Sequence, residues 1–287
     1  MENSTFSMKE FDQSFEDSLA RGFDDGVLQL HGPQAIDLLP SDEFILDATE
    51  EKPPDDLHGP VVGESYNYSL QNGSKKLIMF NFFKIPGEDD RLGSYRDIET
   101  LKKISIAFNF NVEIYEDLVK TDTEKVLDRI QRDKELENTT LLMIVVMSHG
   151  DGKNAYCFKS SDGMSVSMEE HIIARFNDIN CPQLKGKPKI MVGVFCRDTK
   201  NADTSSRPEE ISDNFLNDTV IIYSAKEGEK SYRCKENGCF LVQALFQSLE
   251  NRSFTSFREL VARFHLAMGE YLDPEIKFIN FRDVNLF

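Results

Sequence analysis

The chain has 287 residues, 40% of them apolar, and a formal net charge of -17 from 50 acidic and 33 basic side chains. That size and apolar content suit one large α/β domain with a tail, and the acidity leaves no basic stripe to meet nucleic acid or an anionic membrane surface. Five cysteines, an odd number without C-x-x-C spacing, argue against a disulfide framework, a zinc site or any metal cofactor and point to a reducing, cytoplasmic compartment.

Residues 1–65 hold few Lys or Arg and exit through Pro53, Pro54 and Pro60, which reads as a disordered acidic segment with room for a short amphipathic helix over Phe11–Leu19. No basic and then apolar leader opens it, and no apolar run in the chain reaches the ~18 residues needed to span a bilayer. The folded domain begins near Tyr66. Leu77–Phe83 predicts a buried first strand, followed by a charged loop from Gly87 to Asp97 and helical periodicity in Ile98, Leu101, Ile104 and Phe108. Val112–Tyr115 predicts a second strand. Thr121-Asp122-Thr123-Glu124 has the form of a capping box opening a helix with Val126, Leu127 and Ile130 on one face.

Leu141–Met147, rich in β-branched residues, predicts a third strand that ends on Ser148-His149-Gly150. Gly152 and Gly163 bracket a hairpin around Tyr156-Cys157-Phe158, and Met168–Phe176 predicts a helix. Ile190–Phe195 is a further buried strand, and it ends on Cys196-Arg197. Residues 201–217 are dominated by Asp, Ser, Thr, Asn and Pro and read as an exposed linker. Beyond it come a strand at Val220–Tyr223, amphipathic helices at Phe240–Leu249 and Phe254–Leu272, and a closing strand at Ile276–Phe281.

Two buried strands therefore terminate in a histidine and a cysteine. Taken singly, a cysteine on an apolar strand is an ordinary core residue and a lone histidine an ordinary structural one. In a parallel sheet with helical crossovers, however, strand ends converge at the carboxyl edge, where His149 and Cys196 would form the thiol and imidazole pair of an activated nucleophile.

Four separated segments carry a resemblance to a known family: Arg91-x-Gly93-x-x-x-Asp97, Ser148-His149-Gly150, Lys187-Pro188-Lys189 leading into Cys196-Arg197, and Tyr223-Ser224 through Gly228 to Ser231-Tyr232-Arg233. In that order, with the His about 50 residues before the Cys, they resemble the caspases, of the insect short-prodomain type. The resemblance implies an α/β fold with a central, mostly parallel six-stranded sheet and helices on both faces. It divides the chain into a prodomain (1–65), a large-subunit region (66–200), an intersubunit linker (201–217) and a small-subunit region (218–287). It implies a zymogen that becomes a cysteine endopeptidase cutting protein and peptide substrates after aspartate in apoptosis or related signalling.

The roles implied are Cys196 as nucleophile, His149 as the group that protonates the leaving amine, and the backbone N–H groups of Gly150 and Cys196 as oxyanion donors. A main-chain carbonyl near Asp89 would orient the imidazole. Arg91 and Arg233 would grip the substrate carboxylate, with Ser231 and Tyr232 lining the substrate groove. Asp203 and Asp213 in the linker, Asp218 immediately after it, and Asp47 and Asp56 in the prodomain are candidate processing sites. Expected partners are a second copy or another caspase in a dimer, and inhibitor-of-apoptosis proteins.

The sequence departs from the family pentapeptide Gln-Ala-Cys-Arg/Gln-Gly, having Val194-Phe195-Cys196-Arg197-Asp198. Val194 cannot supply the amide that would donate to the substrate aspartate, a loss of roughly 1.5–3 kcal/mol. Asp198, if turned inward, would raise the thiol pKa unless Arg197 neutralised it. These departures motivate an alternative, a catalytically weakened decoy that dimerises with an active paralogue and modulates it.

Overall fold

In a computed structural model of the chain, residues 67–199, 216–250, 256–268 and 273–284 are described. Phe11–Leu19, Asp47, Asp56, Asp203 and Asp213 lie outside them. The described strands and helices are, in chain order, β1 (Asn67–Tyr68), β2 (Ser74–Asn81), α1 (Ser94–Ala107), β3 (Phe110–Glu116), α2 (Lys120–Gln131), β4 (Thr139–Met147), β5 (Cys157–Lys159), β6 (Ser165–Ser167), β7 (Lys189–Val194), β8 (Thr219–Tyr223), β9 (Arg233–Cys234), β10 (Gly238–Cys239), α3 (Phe240–Glu250), α4 (Phe257–Met268), β11 (Glu275–Ile279) and β12 (Asp283–Val284).

Six strands form one sheet in the order β11-β8-β7-β4-β2-β3. Pairing is parallel from β3 through β8, and β11 joins β8 antiparallel as an edge strand. The inner strands are buried almost without interruption, as a parallel sheet covered on both faces requires. Ile78, Phe80, Leu142, Ile144 and Met191 pack on one face with Leu127 and Ile130 of α2 and with Ile172 and Phe176. Their alternates Leu77, Met79, Met143 and Val145 are equally buried and point the other way. The fold is the α/β architecture expected, with five parallel strands and one antiparallel.

Local departures from expectation have identifiable causes. Helix α1 starts at Ser94, earlier than its apolar periodicity, because Gly93 at φ 88 turns the chain into it. The capping box at Thr121–Glu124 is not used: α2 begins at Lys120 after Val119, whose carbonyl accepts from the Thr123 backbone N–H at 2.9 Å and from its Oγ1 at 3.0 Å. The segment after β6 is a π-helix over Met168–Ile173 and then a 3-10 turn over Ala174–Phe176, and Met168, Ile172 and Ile173 all reach the core from it. The closing strand stops at Ile279 because Asn280 adopts φ 45. No helix among the described residues is long and apolar enough to cross a membrane.

Candidate active site

Register alone brings the histidine and the cysteine to one place. Strands β4 and β7 are parallel neighbours with Met147 opposite Val194, and His149 and Cys196 each stand two residues beyond that pair. The Ser148 N–H donates to Val194 O at 3.1 Å, carrying the ladder one step past the strands. The two main chains then nearly touch: a Cβ on Gly150 would lie 1.9 Å from Cys196 O, so only glycine can follow the histidine here. Gly150 bridges to Phe158, but the bonds on either side run from Lys159 N–H to His149 O and from Asp151 N–H to Cys157 O. That bridge leaves the Gly150 N–H unused. Phe195, packed on Phe158 and Tyr223, seats the cysteine from below.

His149 Nε2 lies 2.9 Å from Asp89 O. A carbonyl only accepts, so Nε2 carries the hydrogen and Nδ1 is the basic ring nitrogen. Burial lowers the His149 pKa, against the Asp89 bond that raises it, and the Arg91 charge lowers it further. The Cys196 thiol, half-buried, donates to Ser231 O at 3.5 Å. Its pKa is raised, chiefly by burial and then by the charge of Asp198, against the Ser231 contact, Lys230 and Arg233. Both groups are therefore neutral at pH 7.

Arg91 is fully buried, and its NH1 donates to Asn81 Oδ1 (3.1 Å), Phe82 O (3.2 Å) and Met147 O (3.1 Å). One terminal nitrogen is thus tied to the ends of β2 and β4, while Nε is buried with no hydrogen-bond partner. Among the described residues no carboxylate is within ion-pair distance of it. Burial and then the charge of Arg233 pull the Arg91 pKa down to about 9. Arg233, half-buried on β9, donates Nε to Leu92 O at 2.9 Å. The two guanidiniums stand close enough to destabilise each other, an arrangement that an incoming carboxylate relieves.

Ser231 meets the site through its carbonyl on the thiol and its hydroxyl on Ser224 Oγ at 2.7 Å. Tyr232, half-buried, lies between it and Arg233. Two expectations are corrected. Arg197 does not neutralise Asp198: it is fully buried, lies 4.7 Å from the centroid of the Tyr156 ring and 4.2 Å from that of Tyr223, and pairs with Glu275 at 2.5 Å. Asp218 is unsuited to processing: it is buried at φ 52, its carboxylate accepts from Tyr68 OH at 2.7 Å and its carbonyl from Lys189 N–H at 2.8 Å. Asn81, which anchors Arg91, had a signal in the sequence as the one polar residue within an apolar run. Among the described residues no group of three or more His, Cys, Asp or Glu could hold a metal ion.

Residues 76–275 match a family described as Caspase domain. Caspase Dronc of Drosophila melanogaster is 22% identical over 258 residues, covering 78% of this chain and 57% of that protein, so the chain spans little more than half of Dronc's length. Putative inactive caspase B of Caenorhabditis elegans is 24% identical over 229 residues, covering 71% of this chain and 82% of that one. The crystal structure of caspase-1 from Spodoptera frugiperda shares the fold with a TM-score of 0.66 at 18% identity, over 80% of this chain and 98% of that chain.

Proposed function

The chain belongs to the caspase family, and on that premise we propose that it is a cysteine endopeptidase that cleaves after aspartate, is made as a zymogen and acts in apoptosis or related signalling. The observation that carries this reading is the buried Arg91, in the field of Asp97 but ion-paired with no carboxylate among the described residues, beside Arg233 at the edge that also holds His149 and Cys196.

The substrate aspartate enters between the two guanidiniums, which fixes the following peptide bond over the thiol. Cys196 Sγ attacks the carbonyl carbon while its proton passes to His149 Nδ1, the ring nitrogen left basic by the Asp89 contact. Because the thiol is neutral at pH 7, this transfer accompanies the attack. Negative charge on the former carbonyl oxygen is met by the N–H groups of Gly150 and Cys196. The imidazolium then gives its proton to the departing amine, and water hydrolyses the thioester with His149 as base.

In this reading residues 66–200 and 218–287 are the large- and small-subunit portions, and cleavage of the linker falls at Asp203 or Asp213. Among the described residues β11 is the last strand of the sheet, which supports pairing with a second copy or a paralogous caspase. The test is hydrolysis of matched peptides carrying Asp or Asn before the scissile bond. The processed protein should cut only the Asp peptide, and Cys196→Ala should cut neither; cleavage that persists in Cys196→Ala contradicts the proposal.

A second reading, the decoy, is favoured by Val194, which is buried and offers no amide, and by the Asp198 charge that pushes the thiol pKa up. Co-expression with an active caspase separates the two. A change in the partner's activity that survives Cys196→Ala favours the decoy.

A further inference from the structure

Within Arg91-x-Gly93-x-x-x-Asp97, the aspartate has no task in the reaction above. Asp97 is fully buried in the first turn of α1. Its Oδ1 accepts the Cys239 N–H at 2.6 Å, and its Oδ2 is buried without a hydrogen-bond partner. Burying a carboxyl group is costly, and the hydrogen bond that answers this one comes from a backbone N–H in a distant part of the chain. The position therefore asks for a role.

The chain around Asp97 is joined to the β9–β10 hairpin at three points. Leu92 O accepts Arg233 Nε at 2.9 Å. Gly93, at φ 88, lies so close to the hairpin that a Cβ there would be 2.4 Å from Cys234 O and 2.8 Å from Lys235 O. Gly238, at φ 89, would place a Cβ 2.4 Å from Asp97 Oδ1. Two glycines in the left-handed region thus let the segments meet, one from each side, and the bond from Cys239 to Asp97 closes the seam. Cys239 is the register partner of Arg233, and Arg91 immediately precedes the first contact.

We propose that Asp97 is a positioning residue of the carboxylate pocket: its bond to the Cys239 N–H holds the β9–β10 hairpin against α1 and so sets the spacing of the Arg91 and Arg233 guanidiniums. This rests on reading those two arginines as the grip for the substrate aspartate. The charges behave as one set, since burial pushes the Asp97 carboxyl up to about 6 while the Cys239 bond, Arg91 and Arg233 each pull it down.

The test uses the protein carrying Cys196→Ala, processed in trans by the active parent, titrated calorimetrically with tetrapeptide amides ending in Asp or Asn, together with hydrogen exchange at the Cys239 amide. Asp97→Ala should weaken the Asp peptide by about tenfold or more, as loss of a hydrogen bond to a charged group implies, with little change for the Asn peptide. It should also speed Cys239 exchange by about the same factor. Asp97→Asn keeps the acceptor and should restore both to near parent values. Parent-like behaviour of Asp97→Ala overturns the proposal. So does an Asp97→Asn variant that loses binding or amide protection, which also decides the matter should Asp97→Ala fail to fold. If the parent itself binds both peptides alike, it is the substrate reading that fails, and amide exchange still decides whether Asp97 holds the hairpin.

Discussion

Arg91 and Arg197 are both fully buried near the same edge of the sheet, yet their surroundings differ in kind. Arg197 is enclosed by two tyrosine rings, donates to Ala155 O and Ala225 O, and has its charge met by Glu275. Arg91 has backbone and amide acceptors on one nitrogen, a like charge in Arg233 nearby, and Asp97 as the buried acid of its surroundings. Each keeps one buried nitrogen without a hydrogen-bond partner, so the contrast lies in charge rather than in bond count. A buried cation with its counter-charge in place is structural. Arg91, in the field of Asp97 but ion-paired with no carboxylate among the described residues, is on the proposed reading poised for an anion that arrives from outside.

Substitution separates the two arginines. Arg197→Ala should destabilise the fold by about 3–4 kcal/mol in urea denaturation, because Glu275 loses its buried partner and both tyrosines lose their packing. The preference for Asp over Asn should stay intact. Arg91→Met should do the reverse, removing about 3 kcal/mol of Asp preference while changing stability by only about 1 kcal/mol, since the acceptors left unpaired are offset by the loss of a buried charge that makes no ion pair among the described residues. If Arg91→Met unfolds the protein and leaves specificity untouched, the two arginines are of one kind.

Asp97 should give the fold a pH dependence. Its folded pKa is raised from the ordinary 3.8 to about 6, so the folded state holds its proton more tightly than the unfolded chain. The associated stabilisation is complete below pH ~4 and is lost as pH rises through ~6, on the order of 3 kcal/mol in all. Denaturation at pH 5 and pH 7 should show parent stability falling more steeply than that of Asp97→Asn; parallel slopes would contradict the burial described here. The smallest effect expected is from Val194→Gln, which supplies the missing amide and should raise kcat/KM for Asp peptides by about tenfold, roughly the value of a hydrogen bond to a charged group.

Much of this was readable in the residues. Buried strands that end in His149 and Cys196 show as apolar runs with a chemically distinct stop, and parallel pairing then fixes their neighbourhood. The direction of Arg197 was not readable, because it depends on Tyr156, Tyr223 and Glu275, which come from three distant parts of the chain. Asp218 misled for the same reason: it lies in a linker-like composition, but a tyrosine 150 positions away holds it. The capping box failed because α2 takes its first bonds from the Val119 carbonyl, a main-chain feature that no side-chain pattern encodes. Seams made by glycine are legible only as isolated residues until the opposing backbone is known. Gly93 and Gly238 acquire meaning from Cys234, Lys235 and Asp97.

Everything proposed for this site depends on Arg91 serving a substrate aspartate. The most direct measurement is mass-spectrometric mapping of the new termini produced when the processed protein is added to a mixture of folded and unfolded proteins, with Cys196→Ala as the control. Cys196-dependent cuts should fall after aspartate; cuts after neutral or basic residues, or none that depend on Cys196, would overturn the role given to Arg91.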